Sequence, residues 1–321
     1  MPHRLSIIIV SWNVRELLER ALHSAYASWG ARPGLEIVVV DNASTDGTLS
    51  RLADAFPQTR VIANQHNRGF TQANNQGLAA TDGEFIFLLN PDTEALGDAL
   101  PRLVAYLDAH PHAGMVGPQL LNADRSVQSS RRRCPTLPVL FGESTWLEGW
   151  LPRRVLQKYY VQEQPVGAIQ VVDWITGAAM LTRREIYEEL GGLDEGFFMY
   201  SEELDWCRRI QEAGWEIHYY PDAQIVHYEG KSSEQVVAAR HIHFQTSKVH
   251  YVRKYHGPLI AEALRHWLLA QYRWQWGVES LKWLLRNQRE LRAARVAAYR
   301  QVLRSKLRRK KIWTQINTDE R

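Results

Sequence analysis

The stretch LSIIIVS at residues 5–11 is the first of four short apolar runs that decide the fold. The others are EIVVVD at 36–41, RVIAN at 60–64 and FIFLL at 85–89. Runs with little polar alternation are typical of strands buried on both faces, as in a parallel sheet covered by helices. Apolar residues at helical spacing separate the strands, the second group behind a predicted N-cap, Asp46. The order βαβαβαβ over the first 110 residues therefore predicts a doubly wound α/β fold.

Short polar groups stand where three of these predicted strands end. They are Ser11-Trp12-Asn13, Asp41-Asn42-Ala43-Ser44 and Asn90-Pro91-Asp92-Thr93. In open parallel sheets, ligands bind beyond the carboxyl ends of the strands. Each group alone also suits plain helix capping. Together they predict a site of carboxylates and amides, in which a phosphate ligand would need a divalent cation.

Several other enzyme classes are excluded by missing motifs. No glycine-rich turn follows the first strand, and Gly230-Lys231-Ser232 lacks the upstream glycine of a phosphate loop. Neither a Gly-x-Ser-x-Gly elbow nor a His-Glu-x-x-His helix occurs. The two cysteines, Cys134 and Cys207, are too few for a disulfide framework and favour a reducing compartment. With neither a signal-peptide pattern nor a long apolar run, we expect a cytoplasmic protein.

The second half of the chain is less regular. A strand is predicted at 171–181, a helix at 201–213, and a stop at Gly257-Pro258 before a long helical section. The predicted apolar face of that section comprises Ile260, Leu264, Trp267, Trp274, Val278, Leu281 and Leu285.

The charge is strongly uneven along the chain. Residues 265–311 hold fourteen Lys and Arg against two acids, a net +12, whereas the whole chain carries only +4. Four tryptophans, Trp267, Trp274, Trp276 and Trp283, lie among these cations. A basic helix with an aromatic face suits an anionic membrane surface, here through residues 259–313. Packing on the rest of the chain or pairing of two copies is the alternative, and nucleic acid is disfavoured because no known reading module accompanies the cations.

Several motifs in order along the chain resemble those of the inverting glycosyltransferases of family two, and more narrowly their bacterial rhamnosyltransferase branch. They are VDNASTDGT at 40–48, NRGF at 67–70, NNQG at 74–77, LNPDT at 89–93, GAAM at 177–180, GGLDE at 191–195, FMYSEELD at 198–205 and HYEGKS at 227–232. The resemblance spans roughly residues 5–235. It implies the GT-A fold, a Rossmann-like, mostly parallel sheet flanked by helices, over residues 1–256. The nucleotide-binding half would be 1–112, the acceptor-side half 113–256, and a basic helical extension 257–321.

The resemblance also implies residue roles on the donor side. Asp41 would accept a hydrogen bond from N3–H of a uracil or thymine ring, and Gly69 would let the backbone approach the ligand closely. The other residues expected to line the nucleotide are Ser11, Asn13, Asn42, Asn67, Arg68, Asn74 and Asn90. Asp92 and His227 would bind a divalent cation, Mg²⁺ or Mn²⁺, against the diphosphate.

On the acceptor side, Glu202-Glu203 stands where relatives carry Glu-Asp, whose second member is the general base. Glu203 is thus the expected base, one methylene longer than usual. Glu202 or Asp205 remains an alternative, with Asp205 also suited to a bridge to Arg208 or Arg209. Trp174, Gly177, Ala178 and Tyr200 would border the acceptor, although core packing is the alternative for any one aromatic ring.

The function expected from this resemblance is inverting sugar transfer from a nucleoside diphosphate, with dTDP-L-rhamnose as favoured donor. The acceptor would be a saccharide or lipid-linked saccharide of a surface polysaccharide, met at the inner face of the cell membrane. Two alternatives stay open: a UDP-hexose or UDP-galactofuranose donor on the same fold, and a catalytically silent, membrane-bound scaffold.

Overall fold

A computed structural model describes residues 3–228, 237–285 and 288–308 of the chain. Contacts between residues divide the chain into two units. The first comprises Met1–Cys134, Leu156–Phe198 and Glu202–Ser232, and the second Pro135–Val155, Met199–Ser201 and Ser233–Arg321. The domain limits expected from the sequence stay a prediction, since these units are drawn from contacts and interleave along the chain.

The described part of the first unit contains eleven strands. They are β1 (Leu5–Ser11), β2 (Leu35–Asp41), β3 (Arg60–Ala63), β4 (Phe85–Leu89), β5 (Thr93–Ala95), β6 (Ala113–Leu121), β7 (Arg131–Arg132), β8 (Gln170–Val172), β9 (Trp174–Ile175), β10 (Ala179–Arg183) and β11 (Glu216–His227). Nine form one sheet in the order β3-β2-β1-β4-β10-β6-β11-β5, with β8 added beside β11. β7 and β9 form a separate antiparallel pair.

The predicted mostly parallel sheet is confirmed. β1 pairs in parallel with both β2 and β4, β2 with β3, and β6 with β11. β10 runs antiparallel between β4 and β6 and so joins the two parallel groups. The carboxyl ends of β1, β2 and β4 consequently lie at one edge of the sheet.

Eight helices accompany the strands up to residue 212, together with a short 3-10 turn at Glu148–Trp150. They are α1 (Arg15–Trp29), α2 (Thr48–Ala55), α3 (Gly69–Ala80), α4 (Ala99–Ala109), α5 (Leu137–Gly142), α6 (Arg153–Tyr159), α7 (Arg184–Leu190) and α8 (Glu202–Glu212). The helix predicted at 201–213 is confirmed as α8. The predicted N-cap of α2 is wrong by one residue, because Gly47 occupies that position in a left-handed conformation. Asp46 instead accepts the N–H groups of Thr48 (3.1 Å) and Arg15 (2.9 Å), so one carboxylate serves the first turns of two helices.

The core of the first unit lies on the face of the sheet covered by α1 and α4. Ile7, Ile9, Val39, Phe87 and Leu181 are fully buried in it. Burial of each such side chain stabilises the fold by about 1.5–3 kcal/mol. The continuous apolar runs of the sequence are thus explained by strands that have protein on both faces.

The single strand predicted at 171–181 is wrong. The stretch forms three short strands, of which β8 pairs with β11, β9 with β7, and β10 with β4 and β6. The carboxylate of Asp173 interrupts the run, because it accepts hydrogen bonds from the Arg133 guanidinium (3.0 Å) and the Cys134 N–H (2.7 Å). The Thr176 N–H is then taken by the Ser130 carbonyl at 3.1 Å.

Three helices dominate the second unit: α9 (Val237–His256), α10 (Pro258–Leu284) and α11 (Arg289–Ser305). The predicted apolar face of α10 is only partly correct, since Leu264 is buried but Trp274, Leu281 and Leu285 are exposed. Polar side chains of α10 are buried instead, because they are paired with side chains of neighbouring helices. Glu279, for example, accepts a hydrogen bond at 2.7 Å from Arg292 of α11. None of the helices among the described residues is both long enough and apolar enough to cross a bilayer.

Candidate active site

The ends of β1, β2 and β4 bring the predicted polar groups to one edge of the sheet. Ser11 lies opposite Asp41 in the β1–β2 register, and the Ser11 carbonyl accepts the Asn42 N–H at 2.8 Å. Beyond β4, the Asn90 N–H donates to the Ala178 carbonyl at 2.9 Å, next to the start of β10. The parallel sheet therefore assembles residues that are 30 to 80 positions apart in the chain.

Asp41 is a fully buried carboxylate that the fold satisfies only in part. Its Oδ2 accepts the Ser44 N–H at 2.9 Å. Asp41 therefore caps a local turn with one oxygen, as the alternative reading of the sequence suggested. Its Oδ1 is buried and has no hydrogen-bond partner among the described residues. The same holds for Ser11 Oγ and Asn90 Oδ1 at the same edge. Because buried polar atoms are normally paired, such a group of unpaired atoms is typical of a ligand site.

Asn13 and Ser44 lock the two loops beyond β1 and β2 together. Asn13 adopts a left-handed conformation (φ 52°), donates its N–H to Ser44 Oγ at 2.9 Å, and accepts the Thr45 N–H at 2.8 Å. These contacts give Asn13 a role in shaping the loop that carries Asp41.

The amides expected to line the nucleotide hold the first turn of α3. Asn42 Nδ2 donates to the Gly69 carbonyl at 3.1 Å, Asn67 Oδ1 accepts the Gly69 N–H at 2.9 Å, and Asn74 Nδ2 donates to the Phe70 carbonyl at 2.9 Å. The Arg68 side chain is exposed beside them. Asn64, which sequence reasoning missed, donates to Asn42 Oδ1 at 2.9 Å.

Gly69 is explained by a side chain of the protein. It has φ 82°, and a Cβ there would stand 2.4 Å from the Phe198 ring. The Phe198 carbonyl also accepts the Phe70 N–H at 2.9 Å. The glycine therefore allows Phe198 to pack against the start of α3, whereas the sequence suggested close approach of the ligand.

Asp92 and His227 meet where β5 and β11 pair. His227 lies opposite Thr93 in the register, and its Nε2 is 3.4 Å from Asp92 Oδ1, with both side chains largely buried. His227 Nδ1 lies 2.8 Å from Gln128 Oε1. Since an amide oxygen only accepts, this contact takes a proton on Nδ1, and Nε2 is the ring nitrogen that faces the Asp92 carboxylate. Gln128, which the sequence did not reveal, thus orients the ring as an outer partner of a metal site would.

A carboxylate oxygen and an imidazole nitrogen side by side are a donor set that a divalent cation accepts. The residues at Asp92 and His227 therefore fit the cation expected from the sequence. Gly230 and Ser232 of the same motif lie outside the described residues.

Glu202 and Glu203, the adjacent carboxyls at the start of α8, have different surroundings. Glu202 is 4% exposed, and its Oε2 has no hydrogen-bond partner among the described residues. Burial, and then the neighbouring Glu203 carboxylate, raise the pKa of Glu202 well above its usual value of 4.5. The side chain of Glu203 lies over Gly177, whose added Cβ would be 3.5 Å from Glu203 Cβ. This glycine, expected at the acceptor side, thus lies next to Glu203, at a distance where an added Cβ would make an ordinary van der Waals contact.

Asp205 and Trp174 have structural partners. Asp205 is fully buried and accepts the Arg209 Nε at 2.9 Å, while Arg209 also donates to the Gly192 carbonyl at 2.7 Å. The bridge accounts for Asp205 and leaves the two glutamates as base candidates.

Trp174 is buried in β9 with its indole N–H on the Arg133 carbonyl at 3.0 Å, so packing accounts for it. Ala178 is also buried, and the Tyr200 ring contacts Phe244 within the second unit.

Comparison with known proteins assigns the class. The family model for glycosyl transferase family 2 matches residues 6–207. The chain is 30% identical over 244 residues to the N-acetylglucosaminyl-diphospho-decaprenol L-rhamnosyltransferase of Mycobacterium tuberculosis, a match that covers 73% of this chain and 78% of that protein. It is 28% identical over 168 residues to rhamnosyltransferase WbbL of Escherichia coli, covering 50% and 61%.

The fold is similar to that of the mannosyltransferase PcManGT from Pyrobaculum calidifontis, solved with GDP-Man and Mn²⁺. The TM-score is 0.55 at 20% identity, and the match covers 98% of this chain and 88% of that one. The sheet order and this likeness give the GT-A fold, as the sequence predicted. The chain belongs to glycosyltransferase family 2 and is a glycosyltransferase.

Replacing Glu202 with glutamine tests its environment through the pH dependence of stability. Between the ordinary pKa of 4.5 and the raised folded-state pKa, the folded chain binds a proton that the unfolded chain has released. Raising the pH through this window therefore favours unfolding of the wild type. We expect the melting temperature of Glu202→Gln minus that of the wild type to become more positive from pH 5 to pH 8. The exposed Glu290→Gln on α11 is the matched control, and a constant Glu202→Gln difference would contradict the assignment.

Proposed function

We propose that this glycosyltransferase moves L-rhamnose from dTDP-L-rhamnose to a hydroxyl of a saccharide or lipid-linked saccharide, with inversion at the anomeric carbon. The choice of donor is supported by the rhamnosyltransferases to which the chain is similar. The observation that carries the proposal is the buried Asp41 carboxylate, at the same strand edge as Asn90. One of its oxygens has no hydrogen-bond partner among the described residues.

Asp41 is the residue proposed to recognise the base of the nucleotide. An ionised carboxylate only accepts, and its buried Oδ1 suits the N3–H of thymine or uracil. A charge-assisted hydrogen bond to a buried carboxylate is among the stronger polar contacts, about 1.5–3 kcal/mol. Asn42 and Asn67 act by fixing the first turn of α3 beside it. Arg68, which is exposed there, is available to the negative diphosphate.

Asp92 and His227 are the residues proposed to hold Mg²⁺ or Mn²⁺. A cation bound there would offset the negative charge of the departing nucleoside diphosphate. Gln128 holds the His227 ring with Nε2 facing Asp92, so the two side chains are already oriented towards each other.

Glu203 is the residue proposed to act as general base. The acceptor oxygen forms a bond to the anomeric carbon while the bond from that carbon to the diphosphate oxygen breaks, and the acceptor proton passes to the Glu203 carboxylate. Two adjacent carboxyls in a buried place do not both ionise easily. Burial and the neighbouring carboxylate raise the pKa of Glu202, which favours Glu202 as the protonated member of the pair and Glu203 as the base.

Exchange of each glutamate for glutamine distinguishes the two roles. We expect Glu203→Gln to lower kcat by about 10²- to 10⁴-fold, because the acceptor proton loses its base. Glu202→Gln replaces a group that is already neutral, so kcat should stay within about tenfold of the wild type. Both are measured as sugar transfer under the same conditions, with donor binding as the control for folding. The opposite order of effects would assign the base to Glu202.

A panel of nucleotide sugars tests the donor. A true donor binds the folded chain only, so at 100 times its Kd it stabilises that chain by about 2.7 kcal/mol. We expect dTDP-L-rhamnose to raise the melting temperature more than UDP-glucose or UDP-galactofuranose, and Asp41→Ala to lose the shift. A larger shift with a UDP-sugar would favour the alternative donor on the same fold.

We also propose that the second unit attaches the enzyme peripherally to the inner face of the cell membrane, where a lipid-linked acceptor lies. Trp274, Leu281 and Leu285 fall on one side of α10 and are 68%, 59% and 72% exposed. Trp150, on the 3-10 turn of the same unit, is 80% exposed. The surrounding net charge of +12 over residues 265–311 attracts anionic headgroups. Its last cations, from Arg309 onward, lie outside the described residues.

Flotation with vesicles tests the membrane proposal. The full chain should float with vesicles rich in phosphatidylglycerol, less with phosphatidylcholine alone, and less again as salt screens the charges. Replacing Trp274 and Leu281 with glutamate should abolish flotation, whereas Leu49→Glu, at an exposed leucine of α2 in the first unit, should not. If the wild type binds no vesicle and the variants instead turn a dimer into a monomer, the exposed side of α10 at Trp274 and Leu281 is a contact between copies.

A further inference from the structure

The segment that leads into the proposed base has an unusual backbone. Tyr200 and Ser201, the two residues before α8, have φ angles of 71° and 66°. The left-handed region costs an L-residue free energy, and two such residues in succession without glycine are rare. Such a conformation persists only when neighbouring contacts impose it. Because Glu202 and Glu203 follow directly, whatever holds this segment also sets where α8 begins.

Phe198, the residue before Met199-Tyr200-Ser201, is held by α3. Its carbonyl accepts the N–H groups of Phe70 (2.9 Å) and Thr71 (3.3 Å) in the first turn of α3. The next three residues, Met199–Ser201, belong to the second unit and have contacts within it.

Helix α9 supplies those contacts from one face. Ser247, which is buried, donates its hydroxyl to the Met199 carbonyl at 2.8 Å. Three residues earlier on the helix, the Phe244 ring meets the Tyr200 ring edge-on, with centroids 5.6 Å apart and planes at 73°. Residues three apart on a helix share a face, so one face of α9 contacts two successive residues of the segment.

This face of α9 is itself fixed. Lys248, next to Ser247, is buried and places its ammonium 3.0 Å from both the backbone carbonyl and a carboxylate oxygen of Glu143. The same ammonium lies 4.9 Å from the centre of the Phe244 ring. A buried ion pair that loses one partner is costly, so it resists rotation of the helix or displacement of Phe244.

We infer that Ser247 and Phe244 of α9 are positioning residues for the general base, since they hold Met199 and Tyr200 directly before the Glu202-Glu203 pair. The inference rests on the proposed role of Glu203. It gives the helical unit a part in catalysis besides attachment to a membrane. Misplacement of a reacting group by about 1 Å costs roughly 10²-fold in rate, so a loss of this hydrogen bond should appear in kcat.

The test compares three variants of the full chain on the donor that the wild type turns over best. Ser247→Ala removes the hydroxyl, Ser247→Thr keeps it, and Ser280→Ala makes the same deletion on α10, away from the segment. We expect Ser247→Ala to lower kcat about tenfold or more with an unchanged donor KM, since the residues at the strand edge are untouched. Ser247→Thr should recover most of that loss, and Ser280→Ala should match the wild type.

A second substitution keeps the test decisive if Ser247→Ala folds poorly. Phe244→Leu retains an apolar side chain but loses the ring contact to Tyr200, and should also lower kcat at constant donor KM. An active wild type with unchanged kcat in Ser247→Ala and Phe244→Leu overturns the inference alone. A fall in kcat accompanied by an equal rise in donor KM, without rescue by threonine, also overturns it. A wild type that transfers no sugar from any donor overturns the proposed function instead.

Discussion

Parallel pairing of β1 with β2 and β4 is the constraint on which the rest of the site depends. Strands that run in the same direction end at the same edge, so the polar residues at their carboxyl ends lie close together. Convergence buries Asp41, one oxygen of which has no hydrogen-bond partner among the described residues. An unpaired buried polar atom costs stability and is typical of a functional site.

The second half of the site is built by strands of mixed direction. β11 pairs with β5 and so carries His227 to Asp92, while β10 returns along β4 and brings Gly177 and Ala178 beside Asn90. In this chain the parallel strands carry the residues proposed to meet the donor, and the residues before the antiparallel β10 are those proposed to border the acceptor. At the start of α8, burial and the neighbouring Glu203 carboxylate raise the pKa of Glu202.

Much of the parallel half could be predicted from the sequence, because its strands are continuous apolar runs and its motifs are contiguous. Asp41, Asn90 and Asp92 could be singled out because each stands at or within three residues of the carboxyl end of an apolar strand. Gln128 and Asn64 were missed, since each acts through a partner far away in the chain. The contact of Gly69 with the Phe198 ring could not be predicted for the same reason, since that ring lies 129 positions later. In residues 170–183, one carboxylate, Asp173, divided a run whose composition looked uniform. In α10, the apolar periodicity predicted the helix but not which side of it is buried. The buried side depends on pairing with α11, as at Glu279 and Arg292.

The measurement that tests the central claim most directly is release of dTDP from dTDP-L-rhamnose by the full chain. It is run with saccharide and lipid-linked saccharide acceptors, first with Mg²⁺ or Mn²⁺ and then with EDTA. The account predicts release that needs the cation, stops on chelation and returns when cation is restored. Release at the same rate with and without EDTA would contradict the roles given to Asp92 and His227. No release from any nucleotide sugar in the presence of acceptor would contradict the proposed reaction itself.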